Sequence, residues 1–410
     1  MEMVCSRKKK KTNFVAFQTC LTTRSRVPKT YTDDVVCTDV FEDVQKWSIE
    51  QKLSSIDNYK GKFVEELTSD EFNLSYIQRT GFVNPVIIKN HRGLGLRMPS
   101  ENFSLNDVRS CVGSQRVIDV MDVETQEPLT MTMKEWCTYY SDETAKSNRL
   151  LNVISLEFSH TKLENYVESP ELVRVRQMDW ISTAWPSYWL EVQEYQNDLK
   201  HMYYPKTRKY ALMSVKGCFT DFHIDMEGRK TLLRGSSVWY HVLKGKKFFW
   251  LIPPTDQHLR LYEEWTLSGR QNEYFFADLC CLDECQLIIL EPGWTFFLPS
   301  GWIHGVYTPE DSLVFGGNFL NSYRIPMQIK IWNMERKIRV PEKYRYPYFL
   351  ESMWYVIERY VHCLTGVTHI EDDCLEHATQ ESTTSEISVT TSPGIYDPLF
   401  LLLHFLLMDD

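Results

Sequence analysis

The chain has 410 residues, 43% of them hydrophobic and 24% charged, and its formal net charge is −10 at pH 7. This is the composition of a soluble globular protein, long enough for two or three domains. The acidic balance argues against a surface built throughout to bind DNA phosphates. It is compatible with a Lys- and Arg-rich protein partner, which a negative surface attracts.

The cysteines and apolar runs predict an intracellular protein without a membrane span. None of the 11 Cys stands in a C-x-x-C pair, and the cluster of Cys280, Cys281 and Cys285 has no second pair nearby. Free thiols in a reducing compartment are therefore expected. No apolar segment follows the early basic run, as a signal peptide requires, and the apolar run at residues 399–408 is too short for a bilayer.

Predicted elements begin after a polar segment at residues 1–60, which is expected to be disordered. Its basic run at residues 7–11 is either a solvated tail or a nuclear-import signal, with even odds between the two. Beyond this segment the patterns predict strands at 81–88 and 94–99, a helix at 104–111 capped by Ser104, a strand at 116–123, a helix at 133–140 and a strand at 149–158.

The densest β pattern occupies the middle of the chain. Strands are predicted within residues 210–225, 237–252, 286–298 and 303–319, with Gly245 in a hairpin turn. Short strands separated by Gly and Pro turns favour a sandwich or a barrel. Helices are predicted at 327–339 and 348–364, and the acidic, Ser- and Thr-rich residues 371–398 are expected to be disordered.

A candidate metal site combines two short patterns. His223 and Asp225 alternate on a predicted strand, so both side chains project from the same face. His304 follows 81 residues later (304 − 223 = 81), after a Pro-Ser-Gly-Trp turn. Two His and one carboxylate leave three positions of a metal open, as in non-haem Fe(II) oxygenases. The H-x-D triplet alone is a weak signal, because a His in a β core is more often a hydrogen-bonded structural residue.

Longer motifs around these residues carry a family resemblance. The segments are LNVISLEFS at residues 151–159, TDFHID at 220–225, SVWYHVLKGKKFFWLIPPT at 237–255 and TFFLPSGWIHGVYTPEDSLVFGGNFL at 295–320. They resemble the JmjC histone lysine demethylases, and within these the lysine demethylase 7 family, whose members carry a PHD finger, most closely. The resemblance covers roughly residues 60–365.

The resemblance implies a mainly β fold with α elements: a double-stranded β-helix core (a jelly roll, cupin-like) with N-terminal α/β elements and C-terminal helices. It divides the chain into a disordered, basic segment at 1–60, an N-terminal α/β part of the JmjC module at 61–148, the catalytic jelly roll at 149–322, a helical region at 323–370 and a disordered tail at 371–410.

The resemblance also implies roles for individual residues. The two His and the Asp of the pattern match ligands of Fe(II). Thr220 and Lys247 match residues that hold the distal carboxylate of 2-oxoglutarate, for which a Lys ammonium is chemically suited. Asn152 and Asn318 match polar residues that line the co-substrate pocket, and Tyr240 matches an aromatic residue beside the methyl-lysine.

The implied function is Fe(II)- and 2-oxoglutarate-dependent removal of methyl groups from mono- and dimethyl-lysine, with O2 consumed and formaldehyde, succinate and CO2 released. The expected substrates are positions nine and twenty-seven of the histone H3 tail, with position twenty of histone H4 as a further candidate. A nuclear chromatin regulator of transcription is expected, without sequence-specific DNA contact or membrane association. The alternatives are a catalytically impaired chromatin adaptor and a JmjC protein hydroxylase.

The sequence departs from the family in three places. Residues 227–234 lengthen the link between the H-x-D pattern and the following strand. This insertion weakens the expectation of turnover more than that of iron binding. No zinc pattern of a PHD finger precedes the JmjC region, which leaves the targeting open. The apolar run at 399–408 matches no part of the family.

Overall fold

The computed structural model describes residues 47–174, 178, 209–225, 235–338 and 349–367. These residues all belong to one of the two units into which the chain divides, Lys46–Asp410. Several sequence-based expectations lie outside the described residues, namely those for the basic run at 7–11, the insertion at 227–234, the acidic segment at 371–398 and the apolar run at 399–408.

The strands of the described residues form two sheets. The large sheet has nine strands in the order β1-β2-β11-β8-β13-β6-β5-β3-β4, and the small sheet has four in the order β10-β9-β12-β7. The strands are β1 Glu65–Glu66, β2 Val86–Ile88, β3 Val117–Asp122, β4 Pro128–Thr132, β5 Leu151–Glu157, β6 Lys209–Ser214, β7 Phe219–Ile224, β8 Ser237–Lys244, β9 Lys247–Ile252, β10 Gln286–Leu290, β11 Thr295–Leu298, β12 Ile303–Tyr307 and β13 Ser312–Phe319.

The last eight of these strands form the predicted jelly roll. β6, β8, β11 and β13 belong to the large sheet, whereas β7, β9, β10 and β12 make up the small one. Side chains of both sheets share one apolar cluster, in which Val242 and Val314 of the large sheet meet Phe249 and Leu251 of the small sheet. The prediction of a double-stranded β-helix core with flanking α/β elements and C-terminal helices is confirmed.

In the sequence, helices precede the jelly-roll strands, occur between two of them and follow them. They are α1 Ile49–Ser54, α2 Leu74–Thr80, α3 Leu105–Val112, α4 Met133–Tyr140, α5 Glu143–Asn148, α6 Glu171–Arg174, α7 Asp256–Ser268, α8 Phe276–Leu279, α9 Ile325–Lys337 and α10 Phe349–Thr365. Single 3-10 turns occur at Ile56–Asn58, Lys162–Asn165, Leu282–Glu284 and Ser322–Arg324. None of the described helices is long and apolar enough to cross a membrane.

Local sequence signals account for several helix ends. Ser104 caps α3 as predicted, and its side chain and that of Asp107 form a reciprocal capping box. Helix α7 was not predicted, although Thr255 caps it and Leu259, Tyr262 and Trp265 form its buried face. The strand predicted at 94–99 is wrong. Arg97 alone forms an isolated bridge there, because Gly93 and Gly95 take up positive φ angles that interrupt an extended chain.

Helices α7 and α9 support the small sheet from outside. Leu259 and Tyr262 of α7 and Ile331 of α9 share an apolar cluster with Trp250 of β9 and Ile303 of β12. Because these contacts use one face of the small sheet, its other face is free to line the interior of the jelly roll.

Candidate metal centre

The predicted metal residues lie side by side on two neighbouring strands. β7 and β12 are antiparallel, and their register places His304 directly opposite His223. Asp225 follows β7, two residues beyond His223, and shares its face. The intervening Ile224 points the other way, into the apolar cluster under the small sheet. Strand alternation thus separates the side chains that can bind a metal from those that build the core.

The three side chains converge on one point. Their nitrogen and oxygen atoms lie within 4.8 Å of one another, and within the described residues they form the one such group of His, Cys, Asp or Glu. The rings of His223 and His304 are 4.2 Å apart between centroids. Nε2 of His304 lies 3.5 Å from Oδ1 of Asp225. This spacing suits a single metal ion bound by all three residues.

Main-chain carbonyls orient both imidazole rings. Nδ1 of His223 lies 2.7 Å from the carbonyl oxygen of Asp221, and Nδ1 of His304 lies 3.1 Å from that of Trp302. A carbonyl oxygen only accepts hydrogen bonds, so each Nδ1 carries the proton and donates it. Each Nε2 then keeps its lone pair for a metal, which is the usual arrangement around metal-binding histidines.

Burial favours the neutral form of all three groups, which suits the two histidines as metal ligands and opposes ionisation of Asp225 without preventing it at neutral pH. It lowers the pKa of His223 and of His304 to about 4, and it raises the pKa of Asp225 to about 6. At neutral pH both rings are neutral and Asp225 is ionised. Two neutral imidazoles and one carboxylate on one side of a metal are the donor set of non-haem Fe(II) enzymes, and the residues present fit that ion.

Lys247 is a buried cation in the same cavity. Only 2% of the residue is exposed, and its Nζ donates hydrogen bonds of 2.7 Å to Oγ of Ser214 and of 2.7 Å to Oγ1 of Thr308. Within the described residues no carboxylate pairs with this ammonium group, and burial lowers the pKa of Lys247 to about 7. An anion bound beside Lys247 would offset the cost of burying its charge.

The other predicted residues line the same cavity. Nδ2 of Asn152, on β5, donates to Oγ1 of Thr220, on β7, over 3.3 Å. Oδ1 of Asn152 is buried without a hydrogen-bond partner in the described part of the chain. Asn318 is 8% exposed and also faces the cavity. A buried acceptor without a partner is costly, so a donor from a ligand or water is expected here.

Aromatic side chains form one wall of the cavity. The ring of Tyr240 packs edge-on against Phe249 at 5.4 Å, and Phe249 lies nearly parallel to the His304 ring at 5.9 Å. Burial raises the pKa of the Tyr240 hydroxyl. The cavity measures about 860 Å³ including its open mouth. Its lining contains all eight residues singled out from the sequence, namely Asn152, Thr220, His223, Asp225, Tyr240, Lys247, His304 and Asn318.

Sequence reasoning missed the residues that hold Lys247 in place. Ser214 lies 33 residues before Lys247, and Thr308 lies 61 residues after it. Both belong to quoted or adjacent β segments, but a Ser or Thr on a strand carries no signal of its own. The pairing of β9 with β12 and the closure of the jelly roll bring these hydroxyl groups to the ammonium.

Comparison with known proteins places these motifs in a family. Lysine-specific demethylase 2A of Xenopus tropicalis is 49% identical over 348 residues, which are 85% of this chain and 29% of the relative. JmjC domain-containing histone demethylation protein 1 of Caenorhabditis elegans is 41% identical over 318 residues, 75% of this chain and 28% of the relative. Residues 323–390 match the family model of the Jumonji helical domain.

Over the region that aligns, the chain is similar to histone demethylases of the JmjC type. Lysine-specific demethylase 7B of Danio rerio is 40% identical over 302 residues, 73% of this chain and 48% of the relative. This identity is lower than the 49% shared with the 2A protein, so the expected closest likeness to the lysine demethylase 7 family is wrong. The chain spans less than half the length of each of these three relatives.

Proposed function

We propose that this JmjC chain is an Fe(II)- and 2-oxoglutarate-dependent dioxygenase that removes methyl groups from lysine side chains of histone tails. The observation that carries the proposal is the cavity that the group of His223, Asp225 and His304 shares with Lys247, a buried cation without a carboxylate partner among the described residues. A metal and a dicarboxylate co-substrate would each find complementary groups there. The names of the relatives, two lysine-specific demethylases and one histone demethylation protein, support the reaction.

Each residue of the cavity has a task in this reaction. His223, Asp225 and His304 would hold the iron, which with 2-oxoglutarate supplies activation of O2 and yields succinate, CO2 and an oxidised methyl group that leaves as formaldehyde. Lys247 and Thr220 would bind the distal carboxylate of 2-oxoglutarate.

The remaining residues position the reactants. Asn152, whose Oδ1 is without a partner, and Asn318 would hold the polar edge of the co-substrate. The wall of Tyr240 and Phe249 would keep water away from the reacting methyl group and line the approach of the methyl-lysine.

The proposed substrates are mono- and dimethyl-lysine of the histone H3 tail, with histone H4 as a second candidate. Positions nine and twenty-seven of H3 followed from the likeness to the demethylase 7 group, which is the less similar one. A peptide panel must therefore include every methylated H3 position. The net charge of −10 favours contact with basic tails, and a nuclear location with a role in transcription fits this partner.

Mass spectrometry of methylated histone peptides tests the proposal. The full chain is incubated with Fe(II), ascorbate, 2-oxoglutarate and each peptide, and formaldehyde and succinate are measured in parallel. We expect loss of methyl groups with matched release of both products. His223→Ala should abolish turnover, whereas His91→Ala, which changes a His outside the cavity lining, should retain it. Turnover by His223→Ala would contradict the metal assignment.

The same assay separates the two alternatives. A chromatin adaptor would bind metal and peptide but release no succinate. A protein hydroxylase would add one oxygen atom to a peptide without releasing formaldehyde. The intact group of His223, Asp225 and His304 favours an enzyme over an adaptor.

A further inference from the structure

The strand that carries His223 and leads to Asp225 lies at an edge of the small sheet and contains a β-bulge. Among the described strands, β7 pairs with β12 alone. Between the pairs His223–His304 and Thr220–Val306, two residues of β7, Asp221 and Phe222, stand opposite a single residue of β12. A bulge leaves main-chain groups out of register and changes the direction of the next side chain. Here the next side chain is that of His223.

This bulge is held by a hydrogen bond within β7 and by two hydrogen bonds from Gln126, which lies outside the sheet. The main-chain N–H of Phe222 donates to Oδ1 of Asp221 over 2.7 Å. The N–H of Asp221 donates to Oε1 of Gln126 over 3.2 Å, and Nε2 of Gln126 donates to the carbonyl of Phe219 over 3.1 Å. The amide of Gln126 therefore contacts the outer edge of β7 at two alternate residues, as a neighbouring strand would.

The turn that presents Gln126 is itself firmly built. Gln126 has a φ of +56°, an uncommon conformation for a residue with a side chain. Oδ1 of Asp122 accepts hydrogen bonds from the N–H groups of Glu124 and Thr125, and its Oδ2 pairs with Arg149. Nε2 of Gln126 also donates to the carbonyl of Val123 over 2.7 Å. The amide is thus held from both sides, by its own turn and by β7.

We propose that Gln126 is a positioning residue of the metal centre, acting on His223 through the main chain of Asp221. Asp221 receives the contact from Gln126 at its N–H, and its carbonyl accepts the proton of His223 Nδ1 over 2.7 Å. A shift of the main chain at Asp221 would turn the His223 ring away from His304, which lies opposite it on β12. This inference rests on the proposed metal site, since it assigns a residue that orients one of its ligands.

Gln126 is expected to affect the geometry of the metal site more than the stability of the fold. Gln126 is an exposed residue, so water replaces much of what its hydrogen bonds contribute to folding. Water does not fix the bulge in one position, however. We therefore expect loss of the amide to weaken metal binding, with a small effect on unfolding. Outer partners of metal ligands typically change affinity by about 10–100-fold.

Co(II) binding to the full chain tests the inference, because Co(II) is stable in air and its visible spectrum reports coordination geometry. Gln126→Met keeps the length of the side chain and removes both hydrogen-bonding groups. Gln286→Met is the matched control. Oε1 of Gln286 likewise accepts main-chain N–H groups, from Phe63 and Val64, but at β10, the opposite edge of the same sheet. Dissociation constants and spectra are measured well below the thermal unfolding midpoint of each variant.

We expect Gln126→Met to raise the Co(II) dissociation constant about tenfold and to alter the spectrum, with the unfolding midpoint nearly unchanged. Gln286→Met should lower the unfolding midpoint and leave both metal measurements unchanged. Wild-type affinity and spectrum in Gln126→Met would overturn the role of Gln126 alone. If Co(II) does not bind the wild-type chain, or binds His223→Ala equally well, the metal site itself is wrong, and the inference is overturned with it.

Discussion

Lys247 shows how a single side chain trades stability for binding. Its ammonium group is buried, and among the described residues its hydrogen-bond partners are the hydroxyl groups of Ser214 and Thr308. A buried charge whose partners are neutral costs free energy of folding, whereas a ligand carboxylate recovers it. The residue therefore weakens the free chain and prepares it for an anionic co-substrate.

Lys247→Met should separate these two effects. We expect the dissociation constant for 2-oxoglutarate, measured by calorimetry on the Mn(II)-loaded chain, to rise about 100-fold, because one partner of a buried charge pair is lost. The midpoint of thermal unfolding of the free chain should stay equal or increase. Lys246→Met, the exposed neighbour that faces Glu291, is the control and should change neither quantity. An unchanged 2-oxoglutarate affinity in Lys247→Met would contradict the assignment.

The pH dependence of the same variant has a definite sign. Burial lowers the pKa of folded Lys247 to about 7, while an unfolded Lys has a pKa of about 10.4. Between these values the unfolded chain binds more protons, so the wild-type chain becomes more stable as pH rises. The cost of burying the Lys247 charge is present in full below the folded pKa and is absent above the unfolded pKa. The stability advantage of Lys247→Met over wild type should therefore shrink by about 1 kcal/mol between pH 8 and pH 9. A pH-independent difference in denaturant unfolding would contradict this.

Local motifs made the lining of the cavity predictable, but not the residues that support it. His223 and Asp225 lie two positions apart, and Lys247 stands in a quoted motif, so short-range patterns identify them. Gln126 is 95 residues from the main-chain N–H that it contacts, and nothing in its own sequence neighbourhood indicates that contact. Tertiary structure alone brings such pairs together.

At the level of elements, the turn between β11 and β12 fixes where β12, the strand of His304, begins. The N–H of Ser300 donates to Oγ of Ser237 over 3.1 Å inside the core. Gly301 has a φ of +89°, and a Cβ there would lie 2.9 Å from Cγ of Met327 on α9. The turn is thus held between β8 and the C-terminal helices, so its glycine is needed for both conformation and space.

Gly301→Ala should destabilise the chain more than Gly293→Ala. Both glycines have positive φ, which costs an Ala about 1–2 kcal/mol, but no atom lies within 4 Å of a Cβ at Gly293. Crowding against Met327 should add about 1–3 kcal/mol at Gly301. Denaturant unfolding of Gly301→Ala, Met327→Ala and the double variant measures the coupling, which should show partial relief of the crowding. Strict additivity would rule out this contact as the cause.

Element types were predictable where one signal was strong. Ser104 as a helix cap predicted α3, and the dense β pattern with Gly and Pro turns predicted the strands of the jelly roll. The strand expected at 94–99 fails because Gly93 and Gly95 override an apolar pattern. Helix α7 was missed, although the cap Thr255 and the helical spacing of Leu259, Tyr262 and Trp265 were both present in the sequence.

On the scale of the whole molecule, the N-terminal α/β part and the jelly roll share one sheet. β2 lies between β1 and β11, and β3 pairs with β5. Val86, Ile88 and Trp136 of the N-terminal part belong to the same apolar cluster as Trp239 and Phe297 of the jelly roll. The domain boundary between residues 148 and 149 stays a prediction. The parts of the chain before and after it bury each other's apolar surface.

Removal of residues 1–148 should therefore prevent independent folding of the remainder. The fragment 149–410 would expose the edge of β11 and a large apolar face. We expect it to bind a hydrophobic dye and to lack a cooperative thermal transition, in contrast to the full chain and to a fragment that starts at residue 46. A cooperative transition in the 149–410 fragment would instead support an autonomous jelly roll.

The direct opposition of His223 and His304 has a mechanical consequence. A metal ion held by both residues ties together two points 81 residues apart (304 − 223 = 81), and it does so across β7, an edge strand. It is then a reversible cross-link, comparable in its effect on chain entropy to a disulfide that closes a long loop. Separation of β7 from β12 and release of the metal would then occur together. The availability of iron would set how long β7 stays paired with β12.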